Sequence, residues 1–373
     1  MKNTLKTLLL VAATLSTVSF AQADGHKGER ARDLGWAPGY MKTGQWNTIT
    51  DVAGVTVGQV TLIDPAKGMQ TGVTAILPHQ DNLYQSKVPA GFERGNGYGK
   101  MMGTTQVNEL GEVETPIVLT NTLNVAEGAA GVVEWTLAQK GNESVRSVNA
   151  VVGETNDART NDIRQRFVTK DHVKEAIGAA KSGPVDEGNV GAGTGTIAFG
   201  FKGGIGTSSR ITQEGYTVGV LVQANYGGDL HIMGQPVGRM LKDIEAQKTG
   251  PDGSVMIIVA TDAPLTDRNL KRLGKRALLG IGRTGGIMSN GSGDYVLAFS
   301  TAEDVRRTMD RQRGPATTTA LSNNQMTPLF AAVIEATEEA VYNALVAAED
   351  VTTKDGRTYK ALPVKNVQKL LGK

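Results

Sequence analysis

The run Gly285-Gly286-Ile287-Met288-Ser289-Asn290-Gly291-Ser292-Gly293-Asp294-Tyr295-Val296-Leu297-Ala298-Phe299 passes abruptly from small, flexible residues to an apolar strand. Ser292 stands at that junction with a glycine on either side. Glycine lacks a Cβ and accepts backbone conformations closed to other residues, so the chain can reach the strained geometry in which Ser292 Oγ attacks the carbonyl of Gly291. A hydroxyl residue freed at a new chain start carries its own base, because its α-amine can take the hydroxyl proton. With a reference pKa of roughly 8, that amine is available in neutral form near physiological pH. This is the layout of a precursor that cuts its own chain. Spacing alone also allows an ordinary glycine-rich turn ahead of a strand.

The length of 373 residues permits one large domain or two ordinary ones. A hydrophobic fraction of 39% with 20% charged residues is globular, and a formal net charge of +2 gives no strong electrostatic steering. No Lys/Arg run carries interleaved aromatics, which argues against a nucleic-acid partner. The 47 glycines follow no collagen period and fit tight turns in a sheet-rich core. Cysteine is absent, which removes disulfides, a thiol nucleophile and any Cys-based metal site; a chain this long does not need disulfides for stability.

At the N-terminus, Lys2 and Lys6 precede the apolar stretch Leu8-Leu9-Leu10-Val11-Ala12-Ala13, which runs with interruptions to Phe20 and ends in Ala21-Gln22-Ala23. A basic start, a short apolar middle and a small-x-small ending describe a secretory signal over residues 1–23, with the mature chain starting at Asp24. A membrane anchor needs roughly 20 apolar residues, and this stretch is shorter and holds Thr14, Ser16 and Thr17. The expectation is an exported protein, periplasmic or secreted, that does not reside in a membrane.

Segments rich in β-branched and apolar residues, bounded by glycine or polar turns, predict strands at 52–63, 72–77, 116–120, 147–152, 194–201, 216–223, 255–261 and 295–300. Helices are expected at 126–140, 170–181 and 265–279. A last long helix starts at Pro328 behind Thr327 as N-cap, with Leu329, Val333, Val341 and Leu345 as its buried stripe and Thr337 on the same face. The polar stretch 306–319 reads as an exposed loop, and no linker divides the chain. The mixture is a layered α/β protein.

Blocks distributed along the chain add to this. They include Thr71-Gly72-Val73-Thr74-Ala75-Ile76-Leu77-Pro78-His79, Gly95-Asn96-Gly97-Tyr98-Gly99, Glu114-Thr115-Pro116-Ile117-Val118-Leu119-Thr120-Asn121-Thr122 and Gly153-Glu154-Thr155-Asn156-Asp157. More specific are Gly191-Ala192-Gly193-Thr194-Gly195-Thr196, Val222-Gln223-Ala224-Asn225-Tyr226-Gly227 and Asn290-Gly291-Ser292-Gly293-Asp294. In this order, from about residue 30 to 350, the chain resembles the family of L-aminopeptidase D-esterase/amidase and the β-peptidyl aminopeptidases, self-processing relatives of the N-terminal-nucleophile hydrolases. The resemblance implies two sheets between helices, an αββα sandwich, cut between Gly291 and Ser292 into an α chain of 24–291 and a β chain of 292–373. It implies release of N-terminal residues from short peptides, amides or esters, and leaves open L-α, D-α or β-amino acids. No metal or organic cofactor is implied, and a homo-oligomer of cleaved αβ units is the expected form.

Site candidates follow from both lines of reasoning. Ser292 is the nucleophile. Acyl transfer needs donors aimed at the developing oxyanion; Asn225, ending a strand before Tyr226-Gly227-Gly228, is the candidate, although a strand-end Asn can simply stabilise a turn. Glu154 also ends a strand and is the candidate partner for a substrate ammonium, with Asn156 and Asp157 as turn formers. Thr337-Glu338-Glu339 resembles a family segment in which a hydroxyl residue and a glutamate two positions later support the nucleophile. The resemblance selects Thr337 and Glu339, whereas a regular helix from Pro328 brings Glu338 nearer the buried stripe and turns Glu339 away. A solvated acidic face is the plainer reading of both.

Other motifs carry less. Gly280-Ile281-Gly282-Arg283-Thr284-Gly285 matches G-x-G-x-x-G but follows a helix and opens none, so it lacks a dinucleotide context. Gly203-Gly204-Ile205-Gly206-Thr207-Ser208-Ser209 lacks the Lys-Ser/Thr ending of a phosphate loop and reads as a structural turn. The histidines at 26, 79, 172 and 231 form no ligand pair, so no metal site is expected. A Ser–His–Asp triad stays open from sequence, because its members are distant along a chain. The glycosylation patterns at Asn290-Gly291-Ser292 and Asn142-Glu143-Ser144 are discounted. Two rival functions remain: an ornithine-acetyltransferase-like acyl transferase, disfavoured by serine in place of threonine, and a periplasmic binding protein that keeps the fold without the chemistry.

Overall fold

Hairpins with well-formed turns build both sheets. Strands β1 (Thr56–Asp64) and β2 (Met69–Leu77) pair antiparallel in one register from Thr56↔Leu77 to Asp64↔Met69. Their turn is set by Asp64, whose side chain accepts the Lys67 N–H, by Pro65 in the first position, and by Gly68 at a φ of 74°. A computed structural model describes residues 28–241 and 253–372; the expected signal segment 1–23 and the new start at Asp24 lie outside the described residues.

Among the described residues nine longer strands form the body of the two main sheets, and two-residue strands at Met101–Met102, Glu112–Val113 and Arg307–Thr308 add to their edges. The first sheet runs β1–β2–β4–β5, with β4 at Ile117–Asn121 and β5 at Val151–Thr155; the last pair is parallel. The second runs β6–β7–β8–β9–β3, with β3 at Ser86–Gly97, β6 at Gly204–Ile211, β7 at Thr217–Asn225, β8 at Ser254–Thr261 and β9 at Gly293–Ser300. Strands β8 and β9 are parallel, and every residue of both is buried. Covered on both faces, they read as continuous apolar runs rather than alternating ones.

Four helices complete the layers: α1 (Val125–Leu137), α2 (Lys170–Gly178), α3 (Asp267–Arg283) and α4 (Met326–Val346). One apolar cluster joins α1 and α2 to the first sheet through Val73, Val118, Val132 and Val173. A second fills the space between sheets, with Ile76, Leu119 and Val151 facing Leu221, Met256 and Phe299. The third joins α3 and α4 to the outer face of the second sheet through Val220, Ile257, Leu273 and Val341. The order is helix, sheet, sheet, helix, the expected αββα sandwich. Close docking of α4 on β6 requires Gly206, where an added Cβ would lie 1.9 Å from the Ala340 carbonyl oxygen.

Several expectations shift. Residues 203–209 are not a turn: most of that segment forms β6, whose Thr and Ser hydroxyls are buried and hydrogen-bonded, as in Thr207 Oγ1 to the Val220 carbonyl. The strand expected over 194–201 is instead a tight turn followed by two-residue strands at Ile197–Ala198 and Phe201–Lys202, reversed by Phe199 and Gly200 at positive φ. Strand β3 escaped the pattern because Pro89, Glu93 and Arg94 interrupt it. The last helix begins at Met326, so Thr327 and Pro328 sit inside its first turn, and its cap residue is Gln325. The stripe Leu329, Val333, Thr337, Val341 and Leu345 is buried as expected. Glu335, Glu338, Glu339 and Asn343 are buried as well, because strands, α3 and the segment before residue 52 surround the helix.

Candidate active site

Register brings three strand ends into one row. Asn225, last in β7, lies opposite Ser254, first in β8, and Ser254 lies beside Gly293, first in β9. Two strand spacings of about 4.8 Å therefore separate the Asn225 and Gly293 backbones. Ser292 precedes that row by one residue, where the hinge meets the sheet.

Ser292 is 2% exposed. Its N–H donates to the Ser289 carbonyl at 3.0 Å, closing a turn over Asn290 and Gly291. Its carbonyl accepts from the Tyr98 N–H at 3.1 Å and from the Asn96 amide. The next N–H, of Gly293, is shared between the Gly253 carbonyl at 3.2 Å and Ser254 Oγ at 3.3 Å. A Cβ on Gly293 would stand 2.2 Å from the Tyr98 carbonyl oxygen, so only glycine fits there. The bond between Gly291 and Ser292 is thus held from its C-terminal side, and the Ser292 hydroxyl donates to Asp294 Oδ1 at 2.7 Å.

Gly291 borders a cavity of about 240 Å³, lined also by Tyr98, Glu154, Asn156, Asn225, Tyr226 and Ser254. That is below the ~300–1,000 Å³ of pockets for drug-sized ligands and suits one or two residues of a substrate. Asn225 is held rigidly: its Oδ1 accepts the Ile197 N–H at 2.9 Å and its Nδ2 donates to the Asn156 carbonyl at 3.1 Å. The amide orientation is therefore fixed, and the second Nδ2–H has no protein partner among the described residues. The hairpin that supplies Ile197 is pinned by Lys202 Nζ, which donates to the carbonyls of Gly193 and Gly203. Burial pushes that ammonium down to about 7 and pushes the buried Asp157 carboxyl up to about 7.

Glu154 lines the same cavity and is 3% exposed. Its carboxylate accepts from the Lys100 backbone N–H at 3.1 Å, from Lys100 Nζ at 2.9 Å and from the Thr122 hydroxyl. The Lys100 side chain is 47% exposed, so its ammonium can move to water and leave the buried carboxylate to another cation.

The structure brings Gly291, Asn225 and Glu154 to one cavity, with Ser292 next to Gly291 in the chain; Thr337 and Glu339 are not among the residues that line it. The Thr337 hydroxyl donates to the Val333 carbonyl at 2.7 Å within its own helix, a common fate of buried helical hydroxyls. Glu339, fully buried, accepts from Arg210 Nη2 at 2.7 Å, Arg32 Nε at 2.9 Å and the Asn47 amide. Glu338 instead bonds Arg283 and the Tyr342 hydroxyl. The helical wheel misled about Glu339 because a helix surrounded on all sides has no face to turn away.

Sequence reasoning gave no role to Asn96, Tyr98, Lys100, Ser254 or Asp294. One signal was available: Ser292 and Asp294 are two apart at the start of a strand, and strand side chains two apart share a face.

Comparison with known proteins completes the description. Residues 47–359 match the model of peptidase family S58. The chain is 41% identical to the β-peptidyl aminopeptidase BapA of Sphingosinicella microcystinivorans, over 97% of this chain and 96% of that protein. Its structure is similar to a Burkholderia sp. β-aminopeptidase, with a TM-score of 0.86 at 38% identity, covering 92% of this chain and 98% of that one. It also matches the L-aminopeptidase D-Ala-esterase/amidase of Ochrobactrum anthropi, a serine aminopeptidase described as a variant of the Ntn hydrolase fold. There the TM-score is 0.84 at 38% identity, with 92% and 99% covered. Fold and site together define a hydrolase of the aminopeptidase/amidase class. The chain belongs to peptidase family S58.

Proposed function

We propose that this chain is an exported serine aminopeptidase that cuts itself between Gly291 and Ser292, then releases N-terminal residues from short peptides, amides or esters. The observation that carries the reading is the placement of Ser292, its hydroxyl bonded to Asp294, directly after Gly291, which lines one small cavity together with the rigid Asn225 amide. After the cut, Ser292 Oγ attacks the substrate carbonyl while its new α-amine accepts the hydroxyl proton. The spare Asn225 N–H holds the oxyanion; water then hydrolyses the acyl-enzyme.

Glu154 is the anchor for the substrate ammonium, taking it in place of Lys100 Nζ. An anchor at one end of a small cavity fixes the amine relative to the carbonyl without demanding one backbone length, which accords with β-amino acid substrates; two of the named relatives are a β-peptidyl aminopeptidase and a β-aminopeptidase. The α piece 24–291 would supply β8 and β3, and the β piece from Ser292 would supply β9 between them, so that the two pieces remain one domain. Such αβ units assemble as a homo-oligomer.

The test is steady-state hydrolysis of one β-amino-acid nitroanilide, free and N-acetylated. The reading expects turnover of the free amine alone, and equal rates on both would refute aminopeptidase specificity.

A further inference from the structure

A self-cleaving serine faces a problem before the cut that it does not face afterwards. In the uncut chain the Ser292 nitrogen is a peptide nitrogen, bonded through its N–H to the Ser289 carbonyl, and has no basic lone pair. Some other group must take the Ser292 hydroxyl proton. Among the described residues no histidine bonds to the hydroxyl, and its partner is Asp294 Oδ1, at 2.7 Å.

The surroundings of that carboxylate are those of a base rather than of a structural anchor. Asp294 is 1% exposed, and its second oxygen, Oδ2, is buried with no hydrogen-bond partner among the described residues. A structural carboxylate in a core is normally saturated by donors, because an unsatisfied buried acceptor costs on the order of 1–3 kcal/mol. Glu339 shows the saturated kind in the same molecule, with two guanidinium groups and an amide on its two oxygens. No cation pairs with Asp294 among the described residues, so nothing holds it in its anionic form except the serine hydroxyl. Room is also restricted: a Cβ on Gly95, in the neighbouring strand β3, would lie 3.2 Å from the Asp294 Cβ. Gly95 thus lets the carboxylate side chain sit between strands and reach forward to the hinge.

We infer that Asp294 is the general base of the precursor, a catalytic residue for the chain's own cleavage and distinct in role from the α-amine that serves the mature enzyme. The Asp294 carboxylate removes the Ser292 Oγ proton as Oγ bonds to the Gly291 carbonyl carbon. The tetrahedral intermediate collapses with breakage of the Gly291–Ser292 C–N bond, and Asp294 returns its proton to the departing nitrogen. The product is an ester between Gly291 and Ser292 Oγ with a free Ser292 amine. Water hydrolyses that ester, yielding the Gly291 carboxylate and the free serine hydroxyl. Atoms balance with water as the sole co-reactant.

Burial pushes the Asp294 carboxyl up to about 6, against a smaller opposing effect of the Ser292 hydrogen bond. A base of that strength is deprotonated at neutral pH yet far more willing to take a proton than an exposed aspartate. The titratable groups that feel its charge are Tyr226 and Tyr295, both pushed upward, chiefly by burial, so both stay neutral through that range.

This inference rests on the self-cleavage reading, and the experiment separates the two. The full chain is translated in a cell-free system as wild type, Asp294→Asn and Asp294→Ala, and cleavage is followed by intact mass over time, with and without added formate. Wild type that never cuts refutes the self-cleavage reading itself. If wild type cuts, Asp294→Asn should slow it by on the order of 10²-fold or more, the usual contribution of a general base. Formate should restore cleavage to Asp294→Ala, whose missing carboxyl leaves a space of that size, and not to Asp294→Asn. Wild-type cleavage rates in Asp294→Asn overturn the inference. So does slow cleavage in an Asp294→Ala chain that melts at the wild-type temperature but gains nothing from formate, since that would make Asp294 a packing residue.

Discussion

Two buried polar clusters flank the second sheet, and they are built on opposite plans. At the edge where β7, β8 and β9 begin or end, the Asn225 amide and the Asp294 carboxylate each keep a hydrogen-bonding atom unspent, and Asn225 and Glu154 line a cavity. On the outer face, Arg210, Arg32, Glu335 and Glu339 bond to one another and to the backbone and amide groups around them. Arg210 is fully buried yet donates to Glu335 at 3.1 Å, to Glu339 at 2.7 Å and to the Pro38 carbonyl at 3.0 Å. Glu335 also accepts the N–H groups of Tyr40 and Met41. A saturated charge network fixes geometry, because removing one member strands another buried charge. An unsaturated one is costly to keep and is useful for binding what arrives. The network also joins residues 30–210 to α4, which follows Ser292, so it would tie the two pieces together after a cut.

The sharpest way to break this contrast is at the nucleophile. Ser292→Ala should remain one chain and show no turnover on any aminoacyl nitroanilide, since alanine has nothing to attack with; a cut and active variant would dissolve the site. Next comes Asn225→Ala, expected to lower kcat by roughly 10²-fold or more while changing KM less, because its spare N–H matters most when the oxyanion forms. Near-normal turnover in a correctly cleaved variant would remove Asn225 from the chemistry.

Glu154→Gln should act through KM, raising it by about tenfold or more on a free amine, because one partner of a desolvated pair is lost. Selectivity for the free amine that survives unchanged in this variant would clear Glu154. Acid should reproduce part of the precursor defect: with Asp294 held up to about 6, its proton-accepting form dominates above that value and declines below it. Cleavage of the newly made chain is therefore expected to slow about tenfold per pH unit below 6. A flat profile between pH 5 and 7 would contradict it.

The smallest effect on catalysis is expected at Glu339→Gln. It should cost about 3 kcal/mol of stability by thermal unfolding, as Arg210 and Arg32 lose their shared anion, yet leave kcat/KM of the folded enzyme within a few-fold. A loss of 10²-fold in kcat at unchanged stability would return Glu339 to the site.

How much of this was legible in the sequence depended on whether a residue's role was local. The glycine hinge and the apolar run of β9 announce themselves, because flexibility and strand propensity are properties of neighbours along the chain. Asn225 and Glu154 were legible as strand ends joined to recognisable blocks. Strand β6 was not, because its glycines and hydroxyls look like a turn until β7 and α4 cover them. Nor was the partnership of Glu339, which depends on Arg32 and Arg210 arriving from 307 and 129 residues away. The Ser292–Asp294 contact was written at a spacing of two and needed only the knowledge that β9 starts at Gly293. The Lys100 cover on Glu154 needed the fold itself.

The account turns on one bond, and intact mass spectrometry with N-terminal sequencing of the purified, active protein reads it directly. It predicts two polypeptides, the second beginning Ser-Gly-Asp-Tyr. A single uncut chain with full aminopeptidase turnover, or a second piece starting anywhere other than Ser292, would contradict it.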